Sequence, residues 1–261
     1  MRVAPTVYFI VGTPGSGRRA LVRDLAENGL PDEKVVVLLS ESEKPDPADP
    51  AVAGLAKLAH VEVQCWKWEG PELPRFKLPA TATVFLVADP LASPIDQVEA
   101  LKIWLQAQGR ELARIFCCVD CQLAEKQPVL MQWFEACIRF ADVVFLTNRT
   151  GVANKWLSDF IQHFKSQYFP CLFIQVKKGD LPNPALVLDP TPRRLTQYFE
   201  EGAEFSDLVI ETDDEEDEDE EIDDSLPQPE PYFERLLNGH RAKEVPDVRD
   251  YLPPAPDQPE K

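Results

Sequence analysis

Apolar positions along this chain follow two rhythms. Short, nearly continuous runs rich in Val, Ile, Leu and Phe recur at Thr6–Val11, Lys34–Leu39, Val61–Cys65, Thr83–Ala88, Arg114–Val119, Val143–Thr147 and Cys171–Gln175. Runs of this length predict strands buried on both faces. Between them lie longer segments of helical period at Arg18–Asn28, Ala51–Ala59, Pro94–Gln108, Glu125–Phe140 and Ala153–Tyr168. In the segment opened by Pro94, the stripe Ile95, Val98, Leu101, Ile103, Trp104, Leu105 has helical spacing, and a first helical turn tolerates Pro because that N–H has no intrahelical partner. Strand and helix in alternation predict an α/β fold, a mostly parallel sheet with helices on both faces. Ser40–Pro50 and Lys67–Ala82, rich in Pro, Glu and Lys, read as surface loops.

The pattern changes near Ser206. Fourteen of the 45 acidic residues fall between Glu204 and Asp224, where there is no Lys or Arg; the remaining 31 face 27 basic residues, so the net charge of −18 belongs mostly to one segment. Such a run cannot bury enough apolar surface to offset its ordering entropy, and like charges repel. The division expected is therefore an α/β domain over residues 1–206 and a disordered, acidic, Pro-rich tail over 207–261. Within the tail, Pro231–Val245 stands out as an amphipathic island, with Tyr232, Phe233, Leu236 and Leu237 on one side of a short helix ended by Gly239. These four are candidate partner-binding residues.

Charge and hydropathy also exclude some partners. Sequence-independent nucleic-acid binding relies on Lys and Arg replacing condensed counterions, so a chain at −18 is not expected to bind nucleic acid. No stretch approaches the roughly 18 apolar residues that span a bilayer, and the five apolar residues before Gly12 are too few for a secretory leader. With six cysteines mostly inside apolar runs, the expected setting is the reducing cytoplasm.

The first strand runs into Gly12, Gly15, Ser16 and Gly17 and then into a helix. A turn of this kind binds phosphate because its backbone N–H groups point inward and the helix N-terminus adds partial positive charge. In a nucleotide-hydrolysing loop the next two residues are Lys, which reaches the β- and γ-phosphates, and Ser or Thr, whose hydroxyl holds Mg²⁺. Here they are Arg18 and Arg19, and a guanidinium has donors only. Anion binding stays open, with GTP or ATP as possible cofactor; Mg²⁺ is doubtful.

The spacing G-x-x-G-x-G resembles the CobW, UreG and HypB group of metal-chaperone GTPases, whose loop reads G-x-x-G-x-G-K-[ST]-[ST]. Three further stretches match in order: "VFLVADPLASP" (Val84–Pro94) is similar to the strand leading to E-x-x-G and L-A-D-P, "ARIFCCVD" (Ala113–Asp120) to the strand ending V-V-D, and "FADVVFLTNRTGV" (Phe140–Val152) to the A-D-x-hydrophobic-x-x-N-K-x-D-L segment. The resemblance spans Val7 to Gln175 and implies the P-loop fold, GTP binding and metal delivery. Its departures are chemical. Val87 stands for the Glu and Pro90 for the Gly of the acidic motif; Asn148 is kept in the base-reading motif, but Arg149 replaces Lys and Gly151 the guanine-pairing Asp. The metal-binding C-x-C-C motif is absent, since only Cys65 lies between Val35 and Trp66.

Losing metal ligand, acidic residue and base reader together is expected to abolish hydrolysis, because phosphoryl transfer depends on positioning and charge neutralisation. The reading expected is a degenerate, non-hydrolysing P-loop protein acting as a binding module or scaffold. One alternative is a nucleotide-binding protein or switch with an altered loop; another is a metal chaperone using the cluster Cys117, Cys118, Cys121. Asp89 and Asp120 end strands where open α/β sheets hold ligands, and both join the candidate anion site. Asp89 has a second reading as a helix cap. The cysteines also have a plain one, as small buried side chains, since Cys117 and Cys118 point to opposite sides of a strand.

Overall fold

A computed structural model of the chain describes residues 6–43, 49–177, 180–200 and 230–253. They divide into two compact units, Met1–Leu195 with Val245–Lys261, and Thr196–Glu244.

The first unit is built on seven parallel strands: β1 (Thr6–Gly12), β2 (Val35–Ser40), β3 (Val61–Trp66), β4 (Thr83–Val87), β5 (Glu111–Asp120), β6 (Val143–Thr147) and β7 (Leu172–Gln175), in the spatial order β3-β2-β4-β1-β5-β6-β7. Every expected strand forms, with ends within three residues of those read from the apolar runs. The helices are α1 (Arg18–Asp24), α2 (Pro50–Leu55), α3 (Pro94–Gln108), α4 (Cys121–Lys126), α5 (Met131–Phe140), α6 (Asn154–Ser166) and α7 (Pro184–Leu188). α1 runs on into a wider π-type turn over Leu25–Gly29.

Three helices differ from expectation. α2 ends at Leu55, four residues short of the expected Ala59. The single segment Glu125–Phe140 is split in two, because Pro128 pushes Gln127 out of the helical region (φ −123°, ψ 76°). α7 is additional, started by Asn183, whose side chain accepts from the Leu186 N–H, and by Pro184 in the first turn.

Strand order explains where a ligand site can lie. From β1 the chain crosses over β4 to reach β2, whereas from β4 it crosses over β1 to reach β5, so neighbouring strands send their helices to opposite faces. Between β1 and β4, at their carboxyl ends, this leaves the crevice that open α/β sheets use for ligands. Tyr8 and Ile10 of β1 pack with Leu21, Val22 and Leu25 above α1's face, together with Leu55 of α2 and Val187 and Leu188 of α7. Alternate residues such as Phe9 and Val11 point the other way, toward the face of α3 and α5.

Buried polar groups tie the segment that follows β7 to the sheet. Arg114 on β5 donates to the carbonyls of Leu186, Val187 and Thr191 at 2.8–3.2 Å, answering the carbonyl end of α7 with a cation. Tyr8 Oη donates to Leu188 O at 2.6 Å. Asp142, fully buried at the start of β6, accepts from the N–H groups of Ile115 (2.7 Å) and Arg193 (2.6 Å) and pairs with Arg194 Nη1 at 3.2 Å.

The second unit holds the expected island, but as a hairpin rather than a helix. Leu236 N–H donates to His240 O and Gly239 N–H to Leu236 O, both at 2.8 Å, while Arg235 and Arg241 form an antiparallel bridge. Gly239 has φ 84°. This is a type I turn closed by a glycine bulge, for which Asn238-Gly239 supplies the left-handed residue. The four candidates therefore do not share one helical side. Tyr232 is buried with Lys243 Nζ 4.3 Å above its ring, and Phe233 meets Tyr198 edge to face. Leu236 and Leu237 stand exposed at the turn. The acidic run and the expected boundary at residues 206/207 lie outside the described residues.

Candidate functional site

Three glycines shape the turn after β1, with φ of 156° at Gly12, 73° at Gly15 and 80° at Gly17. Gly12 is also needed for space. A Cβ there would lie 2.8 Å from Cys118 O and from Ser16 Oγ, and 3.0 Å from Arg18 Cδ. Gly17 is the left-handed residue that enters α1, and Ser16 N–H closes the turn on Thr13 O at 3.2 Å. Thr13 and Ser16 are buried, and neither hydroxyl has a hydrogen-bond partner.

Arg18 does not project from the turn. Its side chain folds back past Gly12, 2% exposed, and Nη1 donates to Ala88 O at 2.7 Å, bridging the crevice between β1 and β4. Nη2 lies 2.8 Å from Glu43 Oε2, an ion pair whose N–H groups are not aligned for a hydrogen bond, and Nε has none either. Glu43 comes from the single turn Glu41–Glu43 that follows β2. Arg19 pairs with Asp49 at 3.2 Å, the residue that also caps α2. Both loop cations thus face carboxylates of their own chain.

The remaining candidates surround the same turn. Asn148, in the left-handed region at φ 47°, donates to Gly15 O at 3.1 Å and to Asp120 Oδ2 at 2.6 Å. Asn tolerates this conformation better than most residues. The other oxygen of Asp120 caps α4 through the Leu123 N–H. Asp89 is held on both sides: Gln97 takes its N–H and donates to its carbonyl, while Oδ1 accepts from Ser42 Oγ at 2.7 Å and from the Leu91 N–H at 2.9 Å. It caps the turn before α3, whereas the helix cap is Ser93. Three contributors had no signal at the level of sequence spacing. Glu43 and Ser42 arrive from the β2 loop, and Thr147 Oγ1 lies 2.9 Å from both Ser16 O and Val119 O, donating to one at a time.

The cysteine cluster does not converge. Cys117 bonds toward Cys137 on α5, whereas Cys118 joins the core on the opposite face. Burial pushes the thiols of Cys117 and Cys118 up, and that of Cys121 up to about 12, aided by Asp120. A metal ligand must instead be a thiolate. Among the described residues no group of three or more His, Cys, Asp or Glu is placed to hold a metal ion, so the metal reading of Cys117, Cys118 and Cys121 is set aside.

Fold and site together define an α/β domain, a seven-stranded parallel sheet whose Gly-rich turn after β1 is followed by two arginines paired with carboxylates of the same chain. Two solved structures of the YjiA GTPase align with it, each over 73% of this chain and 67% of its own. One is a Zn(II)-bound triple mutant, at 13% identity and TM-score 0.46; the other is the Zn(II)-bound protein from E. coli, at 12% and 0.42. No family model and no curated protein matches the chain.

Position 19 offers no oxygen to Mg²⁺, so the residues present do not fit a Mg²⁺-nucleotide.

Proposed function

We propose that this chain is a non-hydrolysing binding or scaffold protein, a P-loop GTPase-like domain that has lost its catalytic function. The observation that carries this reading is the pairing of Arg18 with Glu43 and of Arg19 with Asp49, which commits both cations of the turn to internal carboxylates. Transition-state charge on a transferred phosphoryl group needs cations and a metal that are already in place. The exposed Leu236–Leu237 pair supports a partner-binding role for the second unit, and the free state of all six cysteines supports a reducing, cytoplasmic setting. No helix of the described residues is long and apolar enough to cross a membrane.

The test is turnover and calorimetry with GTP, ATP and GDP, with and without Mg²⁺. Expected are no phosphate release above buffer and no Mg²⁺-dependent affinity. Micromolar or tighter binding that needs Mg²⁺ and is lost in Gly15→Val overturns the reading. A second reading, metal-free anion or nucleotide binding by an altered loop, is favoured by the buried hydroxyls of Thr13 and Ser16 and by Arg18 Nε, none of which has a hydrogen-bond partner.

A further inference from the structure

We propose that Glu43 is a built-in competitor for the phosphate turn: its carboxylate serves as the anion of Arg18, and a phosphoryl ligand engages Arg18 only by replacing it. This rests on the second reading above, and it names a control of that site. The ligand class is a phosphoryl anion, either free or as part of a nucleotide.

Three observations lead there. The Arg18 guanidinium has five donors, yet its one aligned hydrogen bond goes to Ala88 O, while the nearby carboxylate answers its charge without taking a well-directed N–H. A tetrahedral phosphoryl group offers several oxygens and suits a forked donor better. Next, Ser16 Oγ and Arg18 Cδ crowd the same edge of Gly12, and both Ser16 Oγ and Thr13 Oγ1 are buried without partners. Buried hydroxyls are normally paired, so their turn lacks an acceptor that a bound anion would supply. Finally, Glu43 belongs to a short turn outside β1, the phosphate turn and α1, and its side chain is 11% exposed. It can swing out with the turn's backbone left in place.

Asp49 does the same for Arg19 at the rim, where both partners are about a quarter exposed and solvent weakens the pair. Asp89 is engaged by Ser42 and Leu91. The competition therefore centres on Glu43.

The test is calorimetry in EDTA with inorganic pyrophosphate, and in parallel with GTP and ATP, on the wild type, Glu43→Gln and the double variant Arg18→Met/Glu43→Gln. Glu43→Gln is expected to bind pyrophosphate about tenfold tighter or more, and the gain is expected to vanish in the double variant. An equal gain with nucleotides assigns the effect to the phosphoryl group; a gain with nucleotides alone overturns the phosphoryl assignment. If the wild type binds and Glu43→Gln binds no better, competition is refuted while the loop reading survives. If nothing binds, both fall. Because Glu43→Gln leaves a buried cation unpaired, the rise in unfolding temperature on adding pyrophosphate is measured as well, including on Glu43→Asp, whose shorter carboxylate loosens the pair. A larger rise than in the wild type supports competition, and an equal rise refutes it.

Discussion

Removing Glu43 alone should cost more than removing both partners of the Arg18–Glu43 pair. Glu43→Gln keeps the shape but leaves a guanidinium that is 2% exposed without a counter-charge; breaking a buried pair in this way costs about 3–5 kcal/mol. Arg18→Met keeps the stem beside Gly12 and gives up one charge-assisted hydrogen bond to Ala88 O, worth about 1.5–3 kcal/mol. Part of that is returned, since the Nε and Nη2 groups that had no hydrogen bonds no longer need desolvating. The carboxylate left behind has an edge in solvent and can turn toward it. Arg18→Met is therefore expected to lose about 1–2 kcal/mol. The double variant should return to within about 1–2 kcal/mol of the wild type, so the cycle should give a coupling of roughly 2–6 kcal/mol. Urea unfolding followed by Trp fluorescence and far-UV circular dichroism measures all four proteins. In heat scans each 1 kcal/mol appears as about 2–4 °C for a unit of this size. Additive losses, or single variants each within about 0.5 kcal/mol of wild type, would refute the view that the pair is a buried interaction of the folded state.

Other outcomes follow from separate parts of the unit. Helix α6 ends in a Schellman motif, with the Phe169 N–H on Phe164 O and the Tyr168 N–H on Lys165 O, and its left-handed residue is Tyr168 at φ 59°, 88% exposed. Tyr168→Gly should raise stability by about 1 kcal/mol in chemical unfolding, because a side chain is disfavoured there and this one packs on little. Of six thiols only Cys65 is exposed; native protein should release about one equivalent of thionitrobenzoate quickly. Cys65→Ser should remove that phase, with the others reacting after unfolding. Tyr8 is raised from 10 to about 12 by burial. A folded-state value above the unfolded one means stability that is complete below pH 10 and is lost as pH rises from 10 through 12, by about 3 kcal/mol in all. Tyr8→Phe should flatten this part of the pH–stability curve, and an unchanged curve would remove Tyr8 as its cause.

The five inner strands were readable because they are buried on both faces and appear as nearly continuous apolar runs, whereas the edge strands β3 and β7 are only partly buried and β3 interrupts its apolar positions with Glu62 and Gln64. The break at Pro128 was also present in the sequence, but the apolar period continues across it and masks the turn. In Pro231–Val245 the spacing of Tyr232, Phe233, Leu236 and Leu237 fits a helical side, whereas Asn238-Gly239 is a hairpin signal, and local turn chemistry prevailed. The candidate site was legible as a place and not as an arrangement. Gly12, Gly17, Asp120 and Asn148 gather around one turn as their positions at strand ends imply. The direction of Arg18 depends on Glu43, a loop residue 25 positions away that no local pattern links to it. Likewise, nothing near Asp89 in the chain announces Ser42 as its donor.

The Asp142 carboxylate also limits how this unit can be cut. It draws on Ile115 from the sheet and on Arg193 and Arg194 from the segment that follows α7. A shortened or transplanted version ending soon after β7 would keep all seven strands yet leave this buried anion with two of its three partners gone. The smallest portable piece is therefore set by electrostatic closure rather than by the last strand, and it must extend through Arg194.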